Sequence, residues 1–195
     1  MANGFSALAT RTTVRKPADV AGLKIRVQSS PLAMDLLAAL GAQPSAMGAV
    51  DARAALASGA LDGQEVSIAT YTASRLDTAG LTHLLLWDAR ADALVFVVNR
   101  ARWDAWSEAD RALVRQAAQD AARETGAFAR RAGDSASLAA LARQGVDITR
   151  LTPAGKEAFR VTAQPVFERW APVVGAELVR AAETEVAQGA ASPKQ

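Results

Sequence analysis

Gly22-Leu23-Lys24-Ile25-Arg26-Val27 is the stretch that decides the fold class. Apolar and basic side chains alternate through it with period two, the pattern of a half-buried strand, and Pro17-Ala18-Asp19 just upstream is turn chemistry. Downstream, Ser29-Ser30-Pro31 supplies a helix cap and a first-turn proline, and Leu32, Leu36, Leu37 and Leu40 recur at helical spacing as far as Gly41. The alternation of elements then repeats. Ala42–Met47 is of strand length and carries Pro44, which places it at a sheet edge. Val50–Ser58 reads as a helix closed by Gly59, with an apolar face formed mainly by Val50, Ala54, Ala55 and Leu56. Leu61-Asp62-Gly63-Gln64-Glu65-Val66 is a further short strand, in which Gly63 marks a close approach by another backbone or by a ligand. A β-α-β-α-β order predicts a layered α/β fold.

The remainder turns progressively helical. Thr70–Thr78 predicts a helical connection, and Leu81–Trp87 and Ala93–Asn99 predict strands, the second apolar on both faces as a buried central strand is. Ser107-Glu108-Ala109-Asp110 caps a long helix that runs through Leu113, Ala117, Ala121 and Phe128 to Ala132. Ser135–Arg143 predicts a helix, Val146–Leu151 a strand, Thr152-Pro153 the start of a helix passing Phe159, Val166, Phe167 and Trp170, and Leu178–Ala187 a last helix. Residues 188–195 read as a disordered tail.

Composition excludes several function classes. Half of the 195 residues are hydrophobic, enough for one domain or two small lobes sharing a core. The pI near 9.4 overstates the basicity, because the formal net charge is only +2. The 22 basic residues interleave with 20 acidic ones and form no stripe that could follow a phosphate backbone, so nucleic acid is not an expected partner. With no cysteine there is no disulfide, thiolate metal site or cysteine nucleophile. His83 is the only histidine and sits among leucines, without a second histidine for a metal or a glycine-framed serine for a triad. No Walker sequence and no GxGxxG occurs, so no nucleotide cofactor is expected. Met1–Phe5 has neither a basic n-region nor an apolar h-region, and Leu81–Val98 is interrupted by Asp88, Arg90 and Asp92, which argues against a membrane span.

Two clusters are candidates for chemistry. Arg26 projects from a strand between Ile25 and Val27, where a rigidly held guanidinium can grip a carboxylate through paired hydrogen bonds; the alternative is an ordinary exposed strand arginine. Asp62-Gly63-Gln64-Glu65 gathers polar groups at a strand end, where α/β folds bind ligands, or else simply closes the strand with a turn. As a catalytic pair, Asp62 and Glu65 would face opposite sides of an extended chain. Trp87, Trp103, Trp106 and Trp170 are expected in the core rather than in a pocket.

Taken in order, Asn3-Gly4-Phe5, Asp19-Val20-Ala21-Gly22-Leu23-Lys24-Ile25-Arg26-Val27, Leu40-Gly41-Ala42-Gln43-Pro44, Met47, Ala55-Leu56 and Gly59-Ala60-Leu61-Asp62-Gly63-Gln64-Glu65 resemble the solute receptors of tripartite ATP-independent periplasmic (TRAP) transporters, the DctP family. Val97-Val98-Asn99, Trp103, Gly145-Val146 and Gln164-Pro165-Val166 continue the resemblance. It implies a periplasmic-binding-protein-like α/β fold: one lobe, part of a second lobe, and bracing carboxyl-terminal helices. Residues 3–90 would be the body of the second lobe, 91–131 a strand and helix of the incomplete first lobe, and 132–187 helices returning to the second. It implies a non-catalytic, periplasmic receptor that carries a small organic acid to a membrane permease. Arg26 would salt-bridge the ligand carboxylate, and Gln64 and Glu65 would edge the cleft. The chain departs from the family at Ser6, where arginine is frequent, and at Val66, where asparagine is frequent, so the pocket would take a less polar acid or hold it differently. An incomplete lobe would expose Leu94, Phe96 and Val98, which predicts self-association or a complementary amino-terminal chain. The alternatives are a relict without a ligand site and, from another class, a small α/β enzyme using Asp62, Glu65 or His83.

Overall fold

The computed structural model describes residues 2–191. Strand β2 (Lys24–Val27) forms where the alternation predicts it, with Ile25 and Val27 fully buried and Arg26 half-buried between them. Ser30 caps α1 (Pro31–Ala39) by accepting from the Ala33 N–H, and β3 (Gln43–Ala46) lies at the sheet edge, where Pro44 withholds a donor at no cost. Helix α2 (Ala49–Ala57) forms as expected but buries a different face. Ala52 and Leu56 are buried and Ala55 packs beside them, whereas Ala54 is exposed and Val50 is 84% exposed. At 3.6 residues per turn, positions 50 and 54 each lie roughly 200° around the helix from Ala52, so the expected face combined two opposite sides.

Strand β4 (Gly63–Ser67) is buried throughout. The contact predicted at Gly63 is with another backbone: a Cβ there would collide with the Ala9 carbonyl oxygen and stand 2.8 Å from Thr10 Cγ2. Its partner, β1 (Ala2–Thr10), was not apparent in the sequence. The connection after β4 is α3 (Ile68–Ala73) and a short 3-10 turn, followed by β5 (His83–Leu86) and the brief β6 (Ala91–Ala93). Helices α4 (Arg100–Ala105), α5 (Glu108–Ala132) and α6 (Ser135–Arg143), strand β7 (Asp147–Arg150), and helices α7 (Pro153–Val174) and α8 (Ala176–Ala191) complete the described chain. The caps expected at Ser107 and Thr152 accept from Asp110 N–H and Gly155 N–H. Of the tail read as disordered, residues 188–191 fall in α8, and 192–195 lie outside the described residues.

The sheet order is β3-β2-β4-β1-β5-β7, with β6 pairing separately to the start of β1. β1 runs antiparallel to both neighbours, and β2, β3, β4, β5 and β7 all run parallel to one another. One edge of the sheet therefore gathers the carboxyl ends of five strands and the amino end of β1. Side chains alternate between two cores. Ala7, Ala9, Val66 and Leu84 meet Leu56, Tyr71 and Leu138 of α2, α3 and α6; Leu8, Ile25, Val27 and Leu85 meet Leu37 and Phe159 of α1 and α7. Each fully buried leucine-sized side chain contributes about 1.5–3 kcal/mol to these layers.

The predicted buried strand over Ala93–Asn99 does not form. Only Ala91–Ala93 pairs, with β1, and residues 94–99 join no sheet. Val95 and Val97 are 81% and 79% exposed, and Phe96 is 58% exposed. A central-strand composition needs a strand on each side and a layer above and below, and the described residues supply none of these here. α5 shares this isolation: its buried residues are Gly126, Ala129 and Ala132, at its carboxyl end, where it packs on β1 and α3. Among the described residues no helix is long and apolar enough to cross a membrane.

Candidate functional site

Open parallel sheets bind ligands outside the carboxyl ends of their strands, because helix amino termini and chain reversals converge there. Arg26 is the penultimate residue of β2 at that edge, in register with Gln64 on one side and Ser45 on the other. Its Nε donates to the Met47 carbonyl at 3.0 Å, which fixes the plane of the guanidinium. Burial pushes its pKa below the ordinary arginine value, and no carboxylate among the described residues pairs with it. A half-buried cation without a counter-ion loses solvation, and the single bond to Met47 recovers only part of it. Among the described residues only one of its five N–H donors has a partner.

The four sequence-derived site residues divide between the two faces. Register places Gln64 on the same face as Arg26, and both it and Val66 are buried there, with Val66 part of the apolar core. Glu65 faces the other way. Its carboxylate, 1% exposed, accepts from Arg90 Nη2 at 3.0 Å and from Arg90 Nε at 3.4 Å. Asp62 is structural, since its Oδ2 accepts from the Lys24 N–H at 2.8 Å and ties β2 to the approach to β4.

Arg90 was not singled out in the sequence, where it appeared only as a charge interrupting an apolar run. Asn3, at the amino end of β1, was quoted only within the family motif; its Nδ2 donates to Asp92 Oδ2 at 2.7 Å and to Ser67 Oγ at 2.9 Å. Ser67 Oγ in turn donates to Thr70 Oγ1 at 3.0 Å. Ser6 donates its backbone N–H to the Arg90 carbonyl at 2.8 Å, while its Oγ is buried without a protein partner. The edge thus holds one unpaired cation, one closed ion pair and a hydroxyl-amide network.

His83 lies at the opposite end of the sheet, with Nδ1 3.0 Å from Thr13 Oγ1 and 3.2 Å from Asp147 Oδ2. Both partners meet the same ring nitrogen, so the three do not form the relay of a catalytic triad. Trp87 packs edge-on to Phe159 at 5.8 Å, as expected of a core aromatic. Trp170 is partly buried, its Nε1 donating to Asp35 Oδ2 at 2.7 Å. Trp103 and Trp106 instead pack on each other beside α5, with Arg115 over the Trp103 ring at 4.8 Å. A groove of about 880 Å³ runs between α1 and α7, floored by Leu36, Leu40, Trp87 and Phe159.

The class that the fold and site define is an α/β protein whose strand carboxyl ends present a half-buried guanidinium without a counter-ion among the described residues. The family model for bacterial extracellular solute-binding protein, family 7 (DctP), matches residues 1–172, and the chain belongs to that family. It is 32% identical over 162 residues to a solute-binding protein of Chromohalobacter salexigens, covering 80% of this chain and 46% of the relative. It is 25% identical over 186 residues to the C4-dicarboxylate-binding periplasmic protein DctP of Rhodobacter capsulatus, covering 95% of this chain and 56% of that protein. A TRAP periplasmic solute binding protein from Ralstonia eutropha, solved with bound (S)-2-acetolactate, superposes with a TM-score of 0.91 at 40% identity, covering 96% of this chain and 61% of that one. The chain thus spans about half the length of the curated relatives it matches.

Proposed function

We propose that this chain supplies the carboxylate-gripping lobe of a TRAP-type solute receptor, which binds a small organic acid in the periplasm and passes it to the permease subunits in the membrane. The observation that carries this reading is Arg26: a half-buried guanidinium at the ligand edge, oriented by the Met47 carbonyl and without a counter-ion. A carboxylate placed there gains charge-assisted, paired hydrogen bonds and relieves the desolvation of the cation. The acid held by the Ralstonia eutropha protein and the dicarboxylate named for the Rhodobacter capsulatus one are ligands of this chemistry. Gln64 edges the cleft beside Arg26, Glu65 holds Arg90 at its rim, and Val66 backs the site with an apolar wall. Recognition of this kind needs no cofactor and no covalent step.

Residues 3–90 form the body of this lobe, the second of the two, 91–131 belong to the first lobe, and 132–187 return to brace the second. The exposed run from Val95 to Val97 favours a second element in the reading: the strip takes a complementary strand, from an amino-terminal chain or from another copy. Light scattering of the 195-residue chain tests this part, and a monodisperse monomer with no partner added overturns it.

Calorimetric titration with acetolactate and with succinate tests the main claim. The unaltered chain is expected to bind at least one of them and the Arg26→Ala chain neither. Equal affinity in both chains overturns the role of Arg26.

A further inference from the structure

Arg26 stands in a row of three polar side chains. Register pairs it with Ser45 on β3 and with Gln64 on β4, and Gln64 in turn faces Ala9 on β1. The row projects from the sheet on the side opposite Ile25 and Val27, because successive residues of a strand alternate. Neighbouring positions on that side, Ala7, Ala9, Val66 and Leu84, belong to the apolar core. A polar line therefore crosses a hydrophobic face.

Gln64 is the member of the row that packing does not explain. It is 6% exposed, yet its side-chain amide forms no hydrogen bond with any described residue. A buried amide without a partner destabilises a fold, and an apolar side chain of similar size would avoid that loss. The amide is not sealed away either. Among the described residues, the side-chain polar atoms that lack both a partner and access to solvent are Ser6 Oγ and Trp87 Nε1. The Gln64 amide thus stays open to a bound molecule, one strand away from the guanidinium.

The chemistry of the pair selects the molecule. Arg26 offers only donors, and a carboxylate, which offers only acceptors, satisfies it. The carboxylate cannot answer Oε1 of Gln64, which needs a donor. A hydroxyl on the carbon adjoining the carboxylate supplies one. Neighbouring strands lie about 4.8 Å apart, close to the span from a carboxylate carbon, through a hydroxyl on the next carbon, to that hydroxyl's hydrogen-bond partner.

We propose that Gln64 is a specificity-determining residue and that the site takes 2-hydroxy acids, held by Arg26 at the carboxylate and by Gln64 at the hydroxyl. This rests on the acid-binding reading of Arg26 and adds to it a requirement on the adjoining carbon. Acids without the hydroxyl leave the amide buried and unpaired, and lose affinity for that reason.

Succinate and malate differ by one such hydroxyl. Titration calorimetry of the unaltered chain is expected to show one enantiomer of malate bound at least about tenfold more tightly than succinate. Gln64→Met, similar in length and without a hydrogen-bonding amide, is expected to bring the two affinities within about twofold by weakening malate alone. Succinate bound as tightly as both malate enantiomers overturns the inference and leaves the role of Arg26 standing. Equal weakening of both acids by Gln64→Met also overturns it, because Gln64 would then act only by orienting Arg26, and so does a preference for malate that survives the substitution. Binding of neither acid overturns it as well, while the acetolactate titration decides the reading of Arg26.

Discussion

The Glu65 carboxylate is almost completely buried, and Arg90 Nη2 lies 3.0 Å from it, joining the fourth strand of the chain to the segment that follows the fifth. Removing one member of a buried ion pair leaves an uncompensated charge, whereas removing both leaves none. Arg90→Met is therefore expected to destabilise the fold by about 3–5 kcal/mol, and adding Glu65→Gln, itself a single variant, to recover most of that loss. Urea denaturation of the two single variants and the double variant measures the coupling.

Arg26 tests geometry as well as charge. Arg26→Lys keeps a cation but cannot form two parallel bonds to one carboxylate. Affinity for the acid is expected to fall about tenfold, equivalent to about 1.4 kcal/mol, with the melting temperature nearly unchanged because only the bond to Met47 is lost. Titration calorimetry paired with a thermal melt separates the two effects.

Gly63 has no room for a side chain against the carbonyl of Ala9. Since that neighbour is backbone in the middle of the sheet, it cannot swing aside. Gly63→Ala should cost about 3 kcal/mol or more, or prevent folding, as overpacking against fixed backbone does. Gly59→Ala would also be strained, through its φ of +76°, but meets open space; it should cost clearly less. Thermal denaturation of both variants gives the comparison.

Tyr71 is the only tyrosine, fully buried, and its hydroxyl donates to the Leu81 carbonyl at 2.7 Å. Burial first, and the Asp77 charge second, push its pKa up to about 12 from the ordinary tyrosine value of about 10. Between these values the unfolded chain releases the proton and the folded chain keeps it, so stability falls as pH rises. The contribution is complete below pH 10 and is lost by about pH 12, on the order of 2 kcal/mol. Phenolate absorbance in a pH titration should show one late step, and Tyr71→Phe should remove this part of the alkaline loss.

Elements with a strong period or a cap were legible in the sequence: β2, α1, and the starts of α5 and α7 at Ser107 and Thr152. Strand β1 was not, because Ala7 and Ala9 face one core, and Ser6 and Leu8 the other, so burial on both sides erased the polar alternation that marks a strand. The run from Leu94 to Val98 misled for the converse reason: its composition suits a central strand, and composition does not disclose whether neighbours exist. Arg26 was legible as a candidate because it projects from a strand between two apolar residues, Ile25 and Val27. Arg90 was not, since its meaning lies in Glu65, 25 positions away, and only the crossing of β1 between them brings the two together.

That crossing strand has a kinetic consequence. Through hydrogen bonds, the group β3-β2-β4 and the group β5-β7 are joined only by β1. Among the described strands β1 precedes the rest, yet neither of its sheet neighbours, β4 and β5, follows until β2 and β3 have been made, and the other edge of β5 must await β7, which begins 61 residues after Leu86 at Asp147. Pairings this distant along the chain close slowly. β1 thus precedes β2 and β3 in the chain but can pair only after them, and until then a chaperone has a short, mostly apolar segment to hold.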